Sequence, residues 1–219
     1  YNSLGNVLRS LGRINEAIEN YEKTLSLNSK HFRALYNLGL SLHDIDDYEN
    51  AIKNHKKLLD LRPDFNDAYY RIGLAFKKAK FKKYNDELQD LMVSLLEKET
   101  LIHPSSVAHA AITFLKQNPK IQNALKQSAN SGCLEMLIIS VKTLSKQPLF
   151  LKLLSCCPMP DLDVETALIG IRRTILSNIA NLKNNLTILH FQNALAHQCF
   201  INEYLFFEDK EETKNIKTL

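Results

Sequence analysis

The sequence contains no tryptophan and has only six glycines, six prolines and three methionines among its 219 residues. No two glycines are separated by a single residue, so the glycine-rich turn of nucleotide-binding parallel sheets is missing. No apolar run approaches the ~20 residues of a membrane-spanning helix. No stretch alternates apolar and polar residues as a half-buried strand does. These absences predict a chain that is all-α throughout.

Cysteine is also scarce, and its four positions fit no metal-binding spacing: Cys133, Cys156, Cys157 and Cys199. A pair of neighbouring cysteines rarely forms a structural disulfide, so we expect thiols in a reducing compartment, the cytoplasm. The net charge of +4 is too small to indicate a nucleic-acid partner. The basic run at residues 77–83 is typical of a solvated helix end, and no membrane partner is expected.

A repeat is the dominant feature of the sequence. Gly5, Gly39 and Gly73 recur at one constant interval, and each follows an apolar residue. An interval of about 34 residues is typical of stacked helical hairpins. The stretch 32–65 is the clearest unit, with a first helix predicted over 32–42 and a second over 48–61.

The residue types of this central unit fit a packed hairpin. Leu35, Leu38, Gly39 and Leu42 share the inner face of the first helix. Because a glycine inside a helix costs about 1 kcal/mol relative to alanine, its recurrence indicates close packing. We expect the aspartates at 44–47 to form the turn and cap the second helix, which Pro63 ends.

The glycine-containing first helix, the alanine and later aromatic of the second, the exit proline and the constant repeat interval together resemble tetratricopeptide repeats. The resemblance covers residues 1–99, with an incomplete first repeat and a degenerate third. In the third repeat Asn85 stands where Ala17 and Ala51 stand in the others. The resemblance implies a helix-turn-helix solenoid whose concave groove, lined by first helices, binds a peptide or helix of a partner protein.

Ten residues are expected to line the groove. Helical phase places eight of them on the concave side: Asn2, Asn6, Arg33, Tyr36, Leu40, Asp67, Tyr70 and Leu74. The resemblance to tetratricopeptide domains adds Asn37 and Arg71. Tyr36 and Tyr70 lie one repeat apart and are suited to anchoring a ligand, although both can instead pack on neighbouring first helices. Asparagine can bond a ligand backbone through both its oxygen and its nitrogen.

Some tetratricopeptide domains clamp a C-terminal carboxylate with two asparagines, two lysines and an arginine. Asn6, Asn37 and Arg71 match part of that pattern, but Asn2 and Asp67 stand where it has lysines. Because Asp67 would repel a carboxylate, we do not expect chaperone tails as ligands.

The histidines do not predict a metal or catalytic site. His31, His43 and His55 belong to a repeat boundary, a turn and a second helix, and we expect them not to converge. His190 and His197 share a helix face near Cys199 without a complete ligand set. We therefore predict no catalytic residue, no metal and no cofactor within this chain.

Beyond the array, prolines and short polar breaks separate further helices of moderate length. Residues 100–160 are expected to form a helical connector or a degenerate solenoid, with caps at Ser105 or Ser106 and an extended stretch at 156–160. Residues 161–219 are expected to hold two longer helices, over 164–181 and 186–207, the first capped by Asp161 or Asp163.

Residues 162–212 resemble a helical region that, in bacterial multidomain proteins, lies between tetratricopeptide repeats and a class I S-adenosylmethionine-dependent methyltransferase domain. The specific part of the resemblance is the run 198–204, QCFINEY. It implies that the chain is the substrate-recruiting front of such an enzyme, with a glycosyltransferase as a weaker alternative. The catalytic domain, and any S-adenosylmethionine, would lie beyond Leu219.

Two further expectations accompany this resemblance. The chain begins inside a first helix without methionine, so we expect it to be an excerpt of a longer protein. The apolar end of the last helix is expected to dock on a following domain or to form core, through Phe200, Tyr204, Phe206 and Phe207.

Overall fold

The computed structural model describes residues 1–81, 83–130, 134–178 and 186–201. Within these residues all regular secondary structure is α-helical, which confirms the predicted all-α fold. The helices are α1 (Asn2–Ser10), α2 (Ile14–Leu27), α3 (Phe32–Asp44), α4 (Tyr48–Leu61), α5 (Asn66–Lys78), α6 (Asp86–Leu96), α7 (Ser105–Leu115), α8 (Pro119–Asn130), α9 (Leu134–Leu144), α10 (Pro148–Cys156), α11 (Leu162–Ser177) and α12 (Leu186–Ile201). None of the described helices is both long and apolar enough to cross a bilayer.

The chain divides into two compact units. Unit 1 comprises Tyr1–Phe81 and Lys98–His103, and unit 2 comprises the described residues of 83–97 and of 104–201. The regions predicted from the sequence, 1–99, 100–160 and 161–219, remain predictions.

Unit 1 is built from helical hairpins that stack on one another. α1 packs on α2 and α3 on α4, while α2 also packs on α3 and α4 on α5. The predicted inner face of α3 is buried, with Leu35 1% and Leu38 4% exposed. The two hairpins share one hydrophobic core, which consists of Leu8, Ala17, Tyr21, Leu38, Leu42 and Ala51.

The turns inside the two hairpins share a left-handed residue and one backbone hydrogen bond. Gly12 and Asp46, at equivalent positions of the two turns, have φ angles of 75° and 61°. The next amide then bonds back into the first helix, from Arg13 to the carbonyl of Leu8 and from Asp47 to that of Leu42, both at 2.9 Å. Asp47 also caps α4, as predicted, by accepting from the amide of Asn50 at 3.3 Å.

The third first helix, α5, ends differently. Its C-cap residue Ala79 is extended, with φ −65° and ψ 137°. α2 and α4 begin one repeat apart, at Ile14 and Tyr48, whereas α6 begins at Asp86, more than one repeat after Tyr48. The repeat register is therefore lost at α6. Asn85, expected inside a second helix, is instead the N-cap of α6 and accepts from the amide of Glu87 at 2.8 Å. α6 belongs to unit 2, where it packs on α10.

Close packing explains the recurrent glycines. A Cβ at Gly5 would lie 2.6 Å from the Tyr21 ring, and one at Gly39 would lie 2.5 Å from the His55 ring. Tyr21 and His55 occupy the same position in consecutive second helices. At Gly73 the space is taken by Ile102, from the segment Lys98–His103 of unit 1.

Unit 2 contains the remaining helices. α8 packs on α9 and α11, and α10 packs on α12. Asp161 caps α11, as predicted, by accepting from the amide of Val164 at 3.1 Å. The predicted serine cap of α7 is wrong, because Ser105 is already helical and Pro104 occupies the N-cap without a side-chain bond. α11 ends at Ser177, before its predicted end; residues 179–185 and 202–219 lie outside the described residues.

Candidate binding groove

The first helices α1, α3 and α5 are joined side by side by hydrogen bonds, and we call the surface they form the first-helix face. Asn37 donates from Nδ2 to Oδ1 of Asn6 at 2.8 Å, which links α3 to α1. Tyr36 donates from its hydroxyl to Oδ2 of Asp67 at 2.6 Å, which links α3 to α5. The two residues of each pair are 31 positions apart in the sequence, which is one repeat minus about one helical turn. Four of the predicted groove residues are therefore brought together in two pairs with the same separation in sequence.

A groove of about 290 Å³ opens on the first-helix face between α1 and α3. It is lined by Asn6, Arg9, Ser10, Tyr21, Asn37 and Asp44. Its central side chain is Asn6, which is exposed to solvent. The Oδ1 atom of Asn6 accepts a second bond from the Tyr21 hydroxyl at 2.9 Å. Tyr21 is fully buried, so it fixes the orientation of the Asn6 amide.

This bonding pattern leaves a donor group on α1 and an acceptor group on α3, both on side chains that line the same groove. Asn6 accepts two hydrogen bonds at Oδ1, and these bonds do not use the two N–H groups on its Nδ2 atom. Among the described residues no hydrogen bond uses the Asn6 nitrogen or the Asn37 side-chain oxygen. The groove therefore presents amide N–H groups from one helix and an amide oxygen from the next.

An ion pair that the sequence did not predict lies in the same groove. Arg9 binds Oδ2 of Asp44 through Nε at 2.9 Å and through its NH2 group at 2.8 Å. The two side chains are 33% and 39% exposed, so solvent screens the pair. Arg9 and Asp44 are separated in sequence by one repeat plus one position, and this separation could have predicted the ion pair. Because the charges compensate each other, the groove is close to neutral.

Tyr36 is integrated into the wall rather than presented to a ligand. Its ring packs on Phe65 and His55, with centroids 5.6 and 6.0 Å away. Burial raises the pKa of Tyr36, and the hydrogen bond to Asp67 raises it further. The alternative in which this tyrosine packs against the neighbouring first helix therefore applies to Tyr36. Arg71 Nε also contacts Asp67 Oδ2 at 3.4 Å.

The other predicted groove residues occupy varied environments. Tyr70 is 45% exposed, and the guanidinium of Arg71 lies 5.9 Å from its ring centroid. Arg33 is exposed, while Leu40 and Leu74 are half-buried. Asn2 is half-buried, and its Oδ1 has no hydrogen-bond partner among the described residues. The predicted docking residues Tyr204, Phe206 and Phe207, and the side chain of Phe200, lie outside the described residues.

His43 and His55 converge where α3 packs on α4, so the expectation that the three histidines would not converge is wrong for this pair. The centroids of the His43 and His55 rings lie 5.9 Å apart, because His43 in the last turn of α3 and His55 in α4 belong to two helices that pack on each other. His55 is fully buried, and burial, followed by the charge of His43, lowers its pKa to about 3. Burial also lowers the pKa of His43, which contacts the Arg71 carbonyl oxygen through Nε2 at 3.1 Å.

The comparison with protein families agrees with this geometry. Residues 5–46 and 42–79 match the family model described as "TPR repeat". The solved structures with similarity include one titled "Crystal structure of MamA protein", 17% identical, covering 95% of this chain and 96% of that chain, with a TM-score of 0.35. The comparison with curated proteins gives no match. None of these results supports the methyltransferase link predicted for residues 162–212.

Proposed function

We propose that this all-α chain, whose residues 5–79 form tetratricopeptide repeats, is a protein-interaction module that holds an extended segment of a partner on its first-helix face. The partner lies across α1 and α3 and continues towards the exposed Tyr70 on α5. The proposal concerns binding alone. We also propose that the protein is cytoplasmic, which rests on the cysteine pattern of the sequence.

The observation that carries the proposal is the fixed pair of amides at Asn6 and Asn37. One peptide unit offers a carbonyl acceptor and an N–H donor, and the groove offers the complementary donor and acceptor. Tyr21 and the mutual bond at 2.8 Å hold both amides in place before a ligand arrives. Preorganisation of this kind reduces the entropy lost on binding.

An extended ligand fits this pair better than a helical one. In an α-helix the backbone N–H and C=O groups already bond to each other, so a docked helix presents side chains. An extended segment keeps these groups available. The fixed amides of the groove would be left without partners by a helical ligand, at a cost of about 1–3 kcal/mol per desolvated group.

Charge plays a small part in the proposed recognition. Arg9 compensates Asp44, and Arg71 compensates Asp67, so the two ion pairs leave little net field along the groove. Selectivity is then expected from backbone geometry and from an apolar or aromatic ligand side chain that contacts Tyr70. Tyrosine contributes a large contact area with few rotatable bonds.

The test begins with selection of linear random peptides on the wild-type protein by phage display. The affinity of a selected peptide is then measured by fluorescence anisotropy for Asn37→Ala and Tyr70→Ala. We expect each variant to bind about tenfold more weakly, the loss of one good contact. Circular dichroism spectra equal to the wild type establish that the variants fold.

The matched control is Asn15→Ala, which removes an exposed asparagine from α2 outside the groove. It is expected to bind like the wild type. Equal affinities for the wild type, Asn37→Ala and Tyr70→Ala would show that selected peptides bind elsewhere, and the proposed function would fail.

A further inference from the structure

A second groove of unit 1 lies between the second helices α2 and α4, and we call it the second-helix groove. Its volume is about 620 Å³, against about 290 Å³ for the groove on the first-helix face. The two grooves share no lining residue, so the second-helix groove is a separate surface.

The arrangement of three helices creates this groove. α2 and α4 both pack on α3 but hardly contact each other, so α3 forms the floor and the two second helices form the walls. The lining residues of each wall recur in steps of three and four positions, from Asn15 to Leu25 on one side and from Asp47 to Lys57 on the other. A strip of this kind runs along its helix for about 15 Å, at 1.5 Å per residue.

The floor of the second-helix groove is apolar. Leu38 and Leu42 of α3 are almost fully buried, and Ile18 and Leu25 of α2 are half-buried against the same core. Ile45, in the turn after α3, also lines the groove and is 43% exposed. An occupant of the groove therefore contacts aliphatic side chains along its length.

This lining favours a helical occupant over an extended one. An extended segment would bring its backbone N–H and C=O groups against aliphatic side chains, which form no hydrogen bonds. A helix bonds these groups internally and presents a stripe of side chains to the groove. The length of the walls, about 15 Å, corresponds to about ten residues of such a helix.

Two opposite charges line the groove from its two walls. Glu22 on α2 and Lys57 on α4 are separated in sequence by one repeat plus one position, and both are exposed. Arg9 and Asp44, with the same separation, form a direct ion pair on the first-helix face. Among the described residues no ion pair joins Glu22 to Lys57. The groove thus keeps an acid and a base apart, one on each wall.

We propose that the second-helix groove binds an amphipathic helix of about ten residues from a partner protein. Aliphatic side chains on the inner face of this helix contact the floor. A basic residue on one flank faces Glu22, and an acidic residue on the other flank faces Lys57. Charges that flank an apolar stripe select partners in the same way in coiled coils.

The probes are three synthetic helical peptides of about 14 residues, two heptads, with leucine at positions a and d and alanine elsewhere. They differ only at the flanking positions e and g. The first peptide has arginine on one flank and glutamate on the other, the second has arginine on both flanks, and the third has glutamate on both. Their affinities are measured by fluorescence anisotropy at low ionic strength, where exposed charges interact most strongly.

The wild type is expected to bind the mixed-charge peptide about threefold more tightly than the other two, the effect of one exposed ion pair. The Glu22→Lys variant has two basic walls and should prefer the peptide with glutamate on both flanks. The Lys57→Glu variant has two acidic walls and should prefer the peptide with arginine on both flanks. A change of fold alone would not exchange these preferences.

The matched controls are Glu19→Lys and Lys53→Glu, which reverse exposed charges of the same two helices outside the groove. Both are expected to keep the wild-type order of affinities. Ile45→Asn should weaken the binding of all three peptides by about fivefold, because the exposed aliphatic contact is lost. The same order of affinities for the wild type, Glu22→Lys and Lys57→Glu would overturn the proposal, as would the absence of saturable binding to the wild type up to about 1 mM peptide.

Self-association is measured separately by sedimentation of the protein at concentrations up to about 100 µM, a range in which weak apolar contacts are populated. A monomer is expected. A dimer that Ile45→Asn dissociates would show that the groove binds a second copy of the chain and would overturn the choice of occupant.

Discussion

The imidazole of His55 lies directly against Gly39. A Cβ at residue 39 would come within 2.5 Å of the ring Cε1 and 2.6 Å of Nε2. The relationship repeats that of Tyr21 with Gly5 one period earlier. At Gly73 the side chain in contact is Ile102. Each of the three glycines is therefore in close contact with a different type of side chain.

This difference predicts unequal costs for alanine. Gly39→Ala should destabilise unit 1 by about 2 kcal/mol, because the buried His55 ring cannot move aside, even though alanine favours the helix by about 1 kcal/mol. Gly73→Ala should be close to neutral, because it meets the flexible end of Ile102. Urea unfolding of both variants provides the measurement. A Gly39→Ala protein as stable as Gly73→Ala would contradict this account of the packing.

Acid is predicted to destabilise the α3–α4 hairpin through His55. Its pKa is about 3 when folded and about 6.5 when unfolded, so below pH 6.5 the unfolded chain binds a proton that the folded chain does not. The contribution of His55 to stability is therefore complete above pH 6.5, and it falls by about 1.4 kcal/mol for each pH unit between pH 6.5 and about pH 3. His43, whose pKa is also lowered, adds in the same direction.

The measurement compares the wild type with His55→Phe between pH 7 and pH 5. The difference in unfolding free energy between the two proteins should shift by about 2 kcal/mol over this range in favour of the variant. Carboxylates elsewhere cancel in the comparison, since both proteins contain them. Parallel pH profiles would mean that His55 is not held neutral by burial.

The left-handed turn residues predict opposite effects of two substitutions. Asp46→Gly should stabilise the protein by about 0.5 kcal/mol, because glycine adopts a φ of 61° without strain. Gly12→Ala should destabilise it by about 1 kcal/mol at the equivalent turn, although the added methyl group has open space around it. Thermal unfolding of the pair tests whether the relief of backbone strain outweighs the loss of the hydrogen bond that the Asp46 carboxylate accepts from the Tyr48 hydroxyl.

In unit 2 the crossing of α11 with α8 depends on Gly170. A Cβ there would collide with the backbone carbonyl of Ser128, which cannot rotate away as a side chain can. Gly170→Ala should therefore cost about 3 kcal/mol, at the upper end for overpacking. Thr166→Ala on the same helix, at an exposed position, should change stability by less than about 0.5 kcal/mol. Similar unfolding free energies for the two variants would show that the crossing adjusts.

Periodicity predicted the local structure of the two regular hairpins well. Leu35 and Leu38 lie on the buried face, Asp47 caps α4, and α4 ends just before Pro63. These features depend on residues close in sequence, where helical phase and capping chemistry determine the outcome.

Features set by contacts between distant residues were harder to predict. His43 and His55 meet because α3 and α4 form an antiparallel pair, and a helical wheel of one helix alone does not show this. Ile102 lies outside the repeat register, but it contacts Gly73 as a second-helix residue contacts the glycine in each of the other two repeats. The bonds of Asn37 and Tyr36, each spanning 31 residues, follow from how neighbouring first helices are staggered.

The central claim is that Asn6 and Asn37 bind the backbone of an extended partner. A peptide selected on the wild type is synthesised with a single N-methyl group at each backbone position in turn, and its affinity is measured for the wild type and for Asn37→Ala. One position should lose about tenfold in affinity for the wild type and almost nothing for Asn37→Ala, since the variant has already lost the acceptor. Equal losses for both proteins at every position would contradict the claim.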